Sequence, residues 1–230
     1  MQYHIKLHTK ILGGLDRMNR KLIFPVLLLS GLILLLNVNT TVTANNSIIP
    51  SPNQIVNSIE YLDGWISLKN ISFYHQTTNY TCGPSSLKIA LSNYGMNLNE
   101  MELAKYAHTT RYDGTTHTGL INALKQVNTK YKTHYHLNDV NFSSTGWNGL
   151  RNHLIHNEPV ILHIQSFLKP NLTGHYVVLI GINMNEKLVK IVDPSSDEGY
   201  RILTFNQLKT RMDWIVNTGR ANRVILPLTR

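Results

Sequence analysis

Glu158-Pro159-Val160-Ile161-Leu162-His163-Ile164 is the stretch at which the chain changes its period. Two runs of the same kind follow, His175-Tyr176-Val177-Val178-Leu179-Ile180 and Leu188-Val189-Lys190-Ile191-Val192, set apart by turn-forming Gly, Asn and Pro. Short, rich in β-branched residues and nearly continuous in apolar ones, they read as buried antiparallel strands. Tyr200 to Leu203 and Val224 to Leu226 add two more, and Thr204 with Gln207 predicts a capping box for a short helix between them. Upstream of Glu158 the spacing is helical. Leu87, Ala90, Leu91 and Tyr94 fall on one face of a helix that Pro84 suits as first residue and Gly95 ends. Asn99 with Glu102 caps a second helix, with Leu98 placed to staple against Leu103. Leu120, Leu124 and Val127 mark a third from about Thr118, and Trp147, Leu150 and Leu154 a fourth. Helices first and strands later predict an α+β domain, its helical N-terminal half packed on an antiparallel β-sheet.

This ordering places chemistry. The single cysteine, Cys82, lies in Gln76-Thr77-Thr78-Asn79-Tyr80-Thr81-Cys82-Gly83-Pro84, at the mouth of the first helix. Helix N-termini lower cysteine pKa values through unpaired N–H groups and the positive end of the dipole. If the strand starting at His175 and the one ending at Asp193 are joined by a turn centred near Asn185, the two side chains share one end of the hairpin. They then lie within a register step or two of each other, where cross-strand neighbours stand about 5 Å apart. A thiol nucleophile needs a base, a group to hold that base and donors for the oxyanion. Cys82 would attack, His175 would pair with it and later protonate the leaving amine, and Asp193 would fix the imidazole tautomer. Gln76, with the Cys82 backbone N–H, would bind the oxyanion.

Composition bounds the setting. At 230 residues and 42% hydrophobic content the chain accommodates one sizeable globular domain and a leader. Lys6, Lys10, Arg17, Arg20 and Lys21 precede an uncharged run from Leu22 to Leu36 and a polar stretch ending Val42-Thr43-Ala44. This is the order of a signal peptide; the alternative is an uncleaved membrane anchor, although the run is short of the roughly 20 residues that span a bilayer. Residues 1–44 are thus a signal peptide or anchor, 45–55 a linker and 56–230 the folded domain, expected outside the cytoplasm. The net charge of +9 falls to +5 without residues 1–44, with 17 basic residues against 12 acidic. The remaining basic residues are scattered, so nucleic acid is not an expected partner, and membrane contact is expected only through the N-terminal segment. One cysteine excludes an intrachain disulfide. His134 with His136 and His153 with His156 lack the carboxylates or cysteines of a zinc set and read as solvated, while His163 reads as cleft floor or core. No metal or cofactor is expected. The sequons at Asn45, Asn70, Asn79, Asn141 and Asn171 read as coincidences of an Asn- and Thr-rich chain, as does Gly13-Gly14.

As a set, Gln76 six positions before Cys82, Cys82-Gly83-Pro84, Gly174-His175-Tyr176-Val177-Val178 with Gly181, and Asp193-Pro194 resemble the C39 peptidases and C39-like proteins. Gly114-Thr115 through Gly119-Leu120 extend the resemblance to roughly residues 56–230. The resemblance implies a papain-like cysteine peptidase fold and hydrolysis of a peptide or isopeptide bond through an acyl-thioester, with a peptide or cell-wall peptide as substrate. Amide acyl transfer on the same site and a non-catalytic peptide- or wall-binding module are the alternatives. Many bacteriocin-processing members carry Asp where this chain has Thr81, and nothing here supplies a phosphate-binding Gly-x-x-x-x-Gly-Lys loop, so ATP binding is not implied.

Overall fold

The computed structural model describes residues 58–170, 173–219 and 224–230. The leader and linker expected over residues 1–55, Gly13-Gly14 and the sequons at Asn45 and Asn171 lie outside the described residues.

The chain opens with a hairpin, β1 (Ile59–Leu62) and β2 (Trp65–Leu68). Its turn is Asp63-Gly64, both at positive φ (49° and 78°), the backbone that lets a two-residue turn follow the right-handed twist of its strands. The helical reading of the first half overlooks this hairpin, although Asp-Gly between apolar residues is a strong hairpin signal. Four helices follow: α1 (Cys82–Ser92), α2 (Glu100–Tyr106), α3 (His117–Tyr131) and α4 (Phe142–Ile155). Short strands β3 (His136–Leu137) and β4 (Val140–Asn141) stand between the last two.

Helix α1 begins at Cys82 itself, two residues ahead of the expected Pro84. Pro84 still falls in the first turn, whose N–H groups have no intrahelical acceptor, so its missing donor costs nothing there. Asn99 caps α2 by accepting from the Glu102 N–H, as its spacing predicts, and Thr116 caps α3 through the Gly119 N–H. Within α4 the backbone leaves helical geometry at Gly146, where φ is 58°.

The second half supplies β5 (Val160–Gln165), β6 (Gly174–Asn183), β7 (Leu188–Val192), β8 (Tyr200–Thr204), α5 (Phe205–Asn217) and β9 (Val224–Thr229). The Thr204/Gln207 capping box is formed, and the helix it starts runs to 13 residues rather than a short turn. Among the described residues the strands join one curled antiparallel sheet with β6 as its spine. One edge of β6 takes β5 along residues 174–179 and β2 along 181–183; the other takes β7. β9 pairs on the far edge of β5, and β8 lies outside β7.

Helix α1 packs across β6 and β5, flanked by α2 and α3, and α5 packs on β5. The core between them is apolar and sealed: Leu87, Leu91, Leu120, Leu150, Ile161, Leu162, Val177, Val178 and Ile191 expose nothing to solvent. Each fully buried side chain of this size contributes about 1.5–3 kcal/mol of transfer free energy, so helix and sheet hold one another firmly. The N-terminus of α1 consequently meets the N-terminal end of β6, and Cys82 meets His175.

Candidate active site

The turn that delivers Cys82 is built from hydroxyls. Thr81 occupies the cap position of α1 yet does not cap it; its Oγ1 instead accepts from the Thr78 N–H at 3.1 Å and donates to the Thr78 carbonyl at 3.2 Å. Buried Glu100, at the start of α2, takes the Thr77 N–H and hydroxyl at 2.8 and 3.0 Å and ties this turn to the helical layer. Cys82 is left half-buried at the first helical position.

His175 is the second residue of β6 and is 5% exposed; Asp193, just past β7, is fully buried. The β6–β7 register pairs Val178 with Val192, so Asp193 stands opposite Val177, on the same face as His175 and one diagonal away. Residues 184–187 make the turn, centred where the sequence places it. His175 Nε2 and Asp193 Oδ1 are 2.7 Å apart. With Nε2 on the carboxylate, Nδ1 is the ring nitrogen left for the thiol, and Cys82 and His175 are near enough for each to shift the other's pKa.

Burial pushes the Cys82 thiol up, but His175 and the backbone N–H groups of Tyr176 and Gly83 outweigh it, and the net shift is downward. Burial likewise disfavours the imidazolium of His175, and Asp193 and Cys82 reverse this, raising its pKa to about 9. Asp193 is buried too, yet His175, Arg201 and Ser195 hold its carboxyl well below the usual carboxylate range. The arrangement favours a thiolate–imidazolium pair over the neutral one at neutral pH.

Gln76 lies in the same neighbourhood by a backbone route: its N–H donates to the carbonyl of Pro194, next to Asp193, at 2.8 Å. Its side-chain Nε2 donates to the Thr78 carbonyl at 2.7 Å, and the reversed amide would set two acceptors face to face. One N–H of that amide remains, while Oε1 is buried with no hydrogen-bond partner among the described residues.

Two contacts to the triad escape sequence reasoning. Ser195 donates its backbone N–H (2.9 Å) and its hydroxyl (2.8 Å) to Asp193 Oδ1, and its Oγ lies 3.3 Å from His175 Nε2. An Asx-turn reading of Asp193-Pro194-Ser195 would have found it. Arg201 donates Nε to Asp193 Oδ2 at 2.8 Å; as one polar residue of a predicted strand it carries no signal.

A ring cluster surrounds Tyr176, the residue after His175. His163 stacks on Tyr176, with centroids 4.6 Å apart and planes 13° from parallel. His163 Nδ1 is 3.2 Å from His117 Nε2, and His117 Nδ1 is 3.4 Å from Asp139. His163, expected as cleft floor or core, is half-buried. His153, read as solvated, is instead held by Glu158 at 2.7 Å, a carboxylate five residues away that its helical neighbour His156 does not share. Among the described residues no group of three or more His, Cys, Asp or Glu side chains is placed to hold a metal ion.

A family model described as the peptidase C39 like family matches residues 68–222. An uncharacterized protein of Methanothermobacter thermautotrophicus is 32% identical over 121 residues, which cover 52% of this chain and 69% of that protein. Among solved structures, the peptidase domain of Streptococcus ComA, a bi-functional ABC transporter involved in a quorum sensing pathway, aligns with a TM-score of 0.52 and 18% identity. The alignment covers 70% of this chain and 98% of that domain. A Bacillus anthracis protein described as a C39-like peptidase gives a TM-score of 0.51 at 19% identity, covering 73% and 99%. At these identities the likeness to the solved structures is one of fold, the papain-like fold of C39 peptidase domains.

Proposed function

The chain belongs to the peptidase C39-like family, and from that premise we propose that it is an exported cysteine peptidase that hydrolyses a peptide or isopeptide bond through Cys82, His175 and Asp193. The observation that carries this reading is the constellation itself: a half-buried thiol at a helix N-terminus, beside an imidazole that a buried carboxylate holds at 2.7 Å.

The chemistry follows from the ion pair. The Cys82 thiolate attacks the scissile carbonyl carbon, and the oxygen takes the negative charge. The Cys82 N–H, unpartnered at the first helical position, and the free N–H of the Gln76 amide are the donors available to it, each worth about 3 kcal/mol when aligned. Protonated His175 gives its proton to the leaving nitrogen as the C–N bond breaks, leaving an acyl-thioester on Cys82. Water then attacks the thioester with His175 taking its proton, and the released thiolate re-forms the pair. Asp193 keeps the same imidazole nitrogen engaged through both steps.

Replacing Cys82 by Ala is expected to abolish labelling by a thiol-directed electrophile and to lower peptide hydrolysis by roughly 10^5-fold or more, measured on a diverse peptide library read by mass spectrometry. Hydrolysis retained in that variant would refute the proposal. Export rests on the basic, apolar, polar order of residues 1–44. Recovery of the protein solely from the cytoplasm of the producing cell would overturn it, and the N-terminal residue of exported protein reports whether the leader is cut.

A further inference from the structure

We infer that Arg201 is a positioning residue of the reacting pair, acting on His175 and Cys82 through Asp193; this rests on the cysteine peptidase reading. Asp193 is fully buried, and its two oxygens have separate duties. Oδ1 faces His175 Nε2 and both donors of Ser195, whereas Oδ2 takes Arg201 Nε. Without Arg201 the buried Oδ2 would have no donor among the described residues, and nothing on that side would choose which oxygen faces the imidazole. Unpaired buried carboxylate oxygens are costly, so the carboxyl would turn to share its donors.

Arg201 is itself held in place. It stands opposite Ile191 in the β7–β8 ladder, two residues back from Asp193 along β7. Its guanidinium lies 4.5 Å from the centroid of the Phe167 ring. Arg211 of α5 lies against the same ring at 3.9 Å and donates to the carbonyls of Gln165 and Ser166 at 3.2 and 3.3 Å. Two cations thus share one aromatic platform beside one carboxylate. The charged and titratable groups around the reacting pair include Asp193 after β7, Arg201 from β8, Arg211 from α5 and the Tyr176 phenol from β6, with His163 of β5, His117 of α3 and Asp139 in the ring cluster on Tyr176. A guanidinium keeps its charge at every working pH. Arg201 therefore places a constant positive charge behind the pair and lowers the pH window in which thiolate and imidazolium coexist.

The test is the pH profile of Cys82 alkylation by iodoacetamide on the folded protein, which needs no substrate. Arg201→Gln is expected to move both limbs of the profile upward by roughly half a pH unit to one unit, because each proton leaves a site that has lost a positive neighbour. Arg201→Lys is expected to hold both limbs where the wild type has them. Unmoved limbs in Arg201→Gln, or an equal shift in Arg201→Lys, would overturn the inference. Arg201→Met, which keeps the stem on Phe167, takes the place of the glutamine variant if that one does not fold. If both neutral variants unfold while the lysine variant folds with an unchanged profile, Arg201 is a structural ion-pair residue and the positioning role is overturned. A wild-type Cys82 that alkylates no faster than a free cysteine would instead sink the peptidase reading itself, so the two failures are distinguishable.

Discussion

His175 is where the stability of the site and its reactivity depend on the same proton. Its pKa, raised to about 9 in the folded chain, stands near 6.5 when unfolded. The protonated ring therefore contributes stability in full below about pH 6.5, and this is lost as pH rises through about 9. Cys82 is the converse case: its lowered pKa makes the thiolate a contribution present above the unfolded value and lost as pH falls through the folded one. The pair is intact between these two folded values, and the alkaline limb of Cys82 alkylation is expected near pH 9. In Cys82→Ala, where the opposing thiol titration is absent, thermal melting should fall by several degrees as pH rises from about 6.5 towards 9, at ~2–4 °C per kcal/mol, and by less when His175→Asn is added. Equal slopes in the two proteins would show that His175 is not the titrating group. Cys82, His175 and Asp193 were legible in the sequence because helix placement and hairpin arithmetic need only local periods. Ser195 and Arg201 were not, since which polar residue of a turn or edge strand reaches a buried carboxylate depends on twist and register that no period encodes.

At the scale of the element, the β5–β6 hairpin shows how closely the sheet end carrying His175 is fitted. Gln165 pairs with Gly174 and His163 with Tyr176, and the Nε2 tip of the His163 ring abuts Gly174, so that a Cβ at 174 would collide with it. The ring cannot swing away freely, because it stacks on Tyr176 and bonds His117. Gly174→Ala is thus expected to destabilise the domain by about 1–3 kcal/mol through overpacking, read from urea unfolding. It should also slow Cys82 alkylation, because the displaced strand end bears His175; a fully stable variant would show that His163 yields without cost. The five later strands were legible because continuous β-branched runs admit few other folds. Hairpin β1–β2 was missed because its strands, one largely exposed and one largely buried, show no shared alternation and only Asp63-Gly64 announces them. Pro84 misplaced the start of α1 for a different reason: the first turn accepts proline at any position, so the residue bounds a helix start without fixing it.

Across the described domain, α1 joins Cys82, the proposed nucleophile, to the terminal strand of the sheet. Its first residue is Cys82, and just beyond its last turn the Tyr94 hydroxyl shares its one proton between the carbonyls of Asn157 and Leu228, at 3.1 and 2.8 Å, while the ring stacks on Tyr135 at 4.9 Å. Asn93 adds two bonds to Asn157. One helix end therefore gathers the α4–β5 junction and the terminal strand β9, contacts separated by 64 and 134 residues of chain, and such long-range polar ties have no sequence signature. Burial raises the Tyr94 phenol pKa above its usual value, so it remains a donor throughout the working range. Tyr94→Phe keeps the ring stack and removes the donor, leaving the Leu228 carbonyl without this partner; the expected cost is about 1–3 kcal/mol, measured by urea denaturation at constant m-value. At 1.5 Å per residue, Tyr94 lies ~18 Å along the axis from Cys82. The alkylation profile of Cys82 should consequently be unmoved while stability falls. Coincident changes in both would mean that the two ends of α1 communicate, and that the helix transmits strain to the thiol instead of serving as a rigid mount for it.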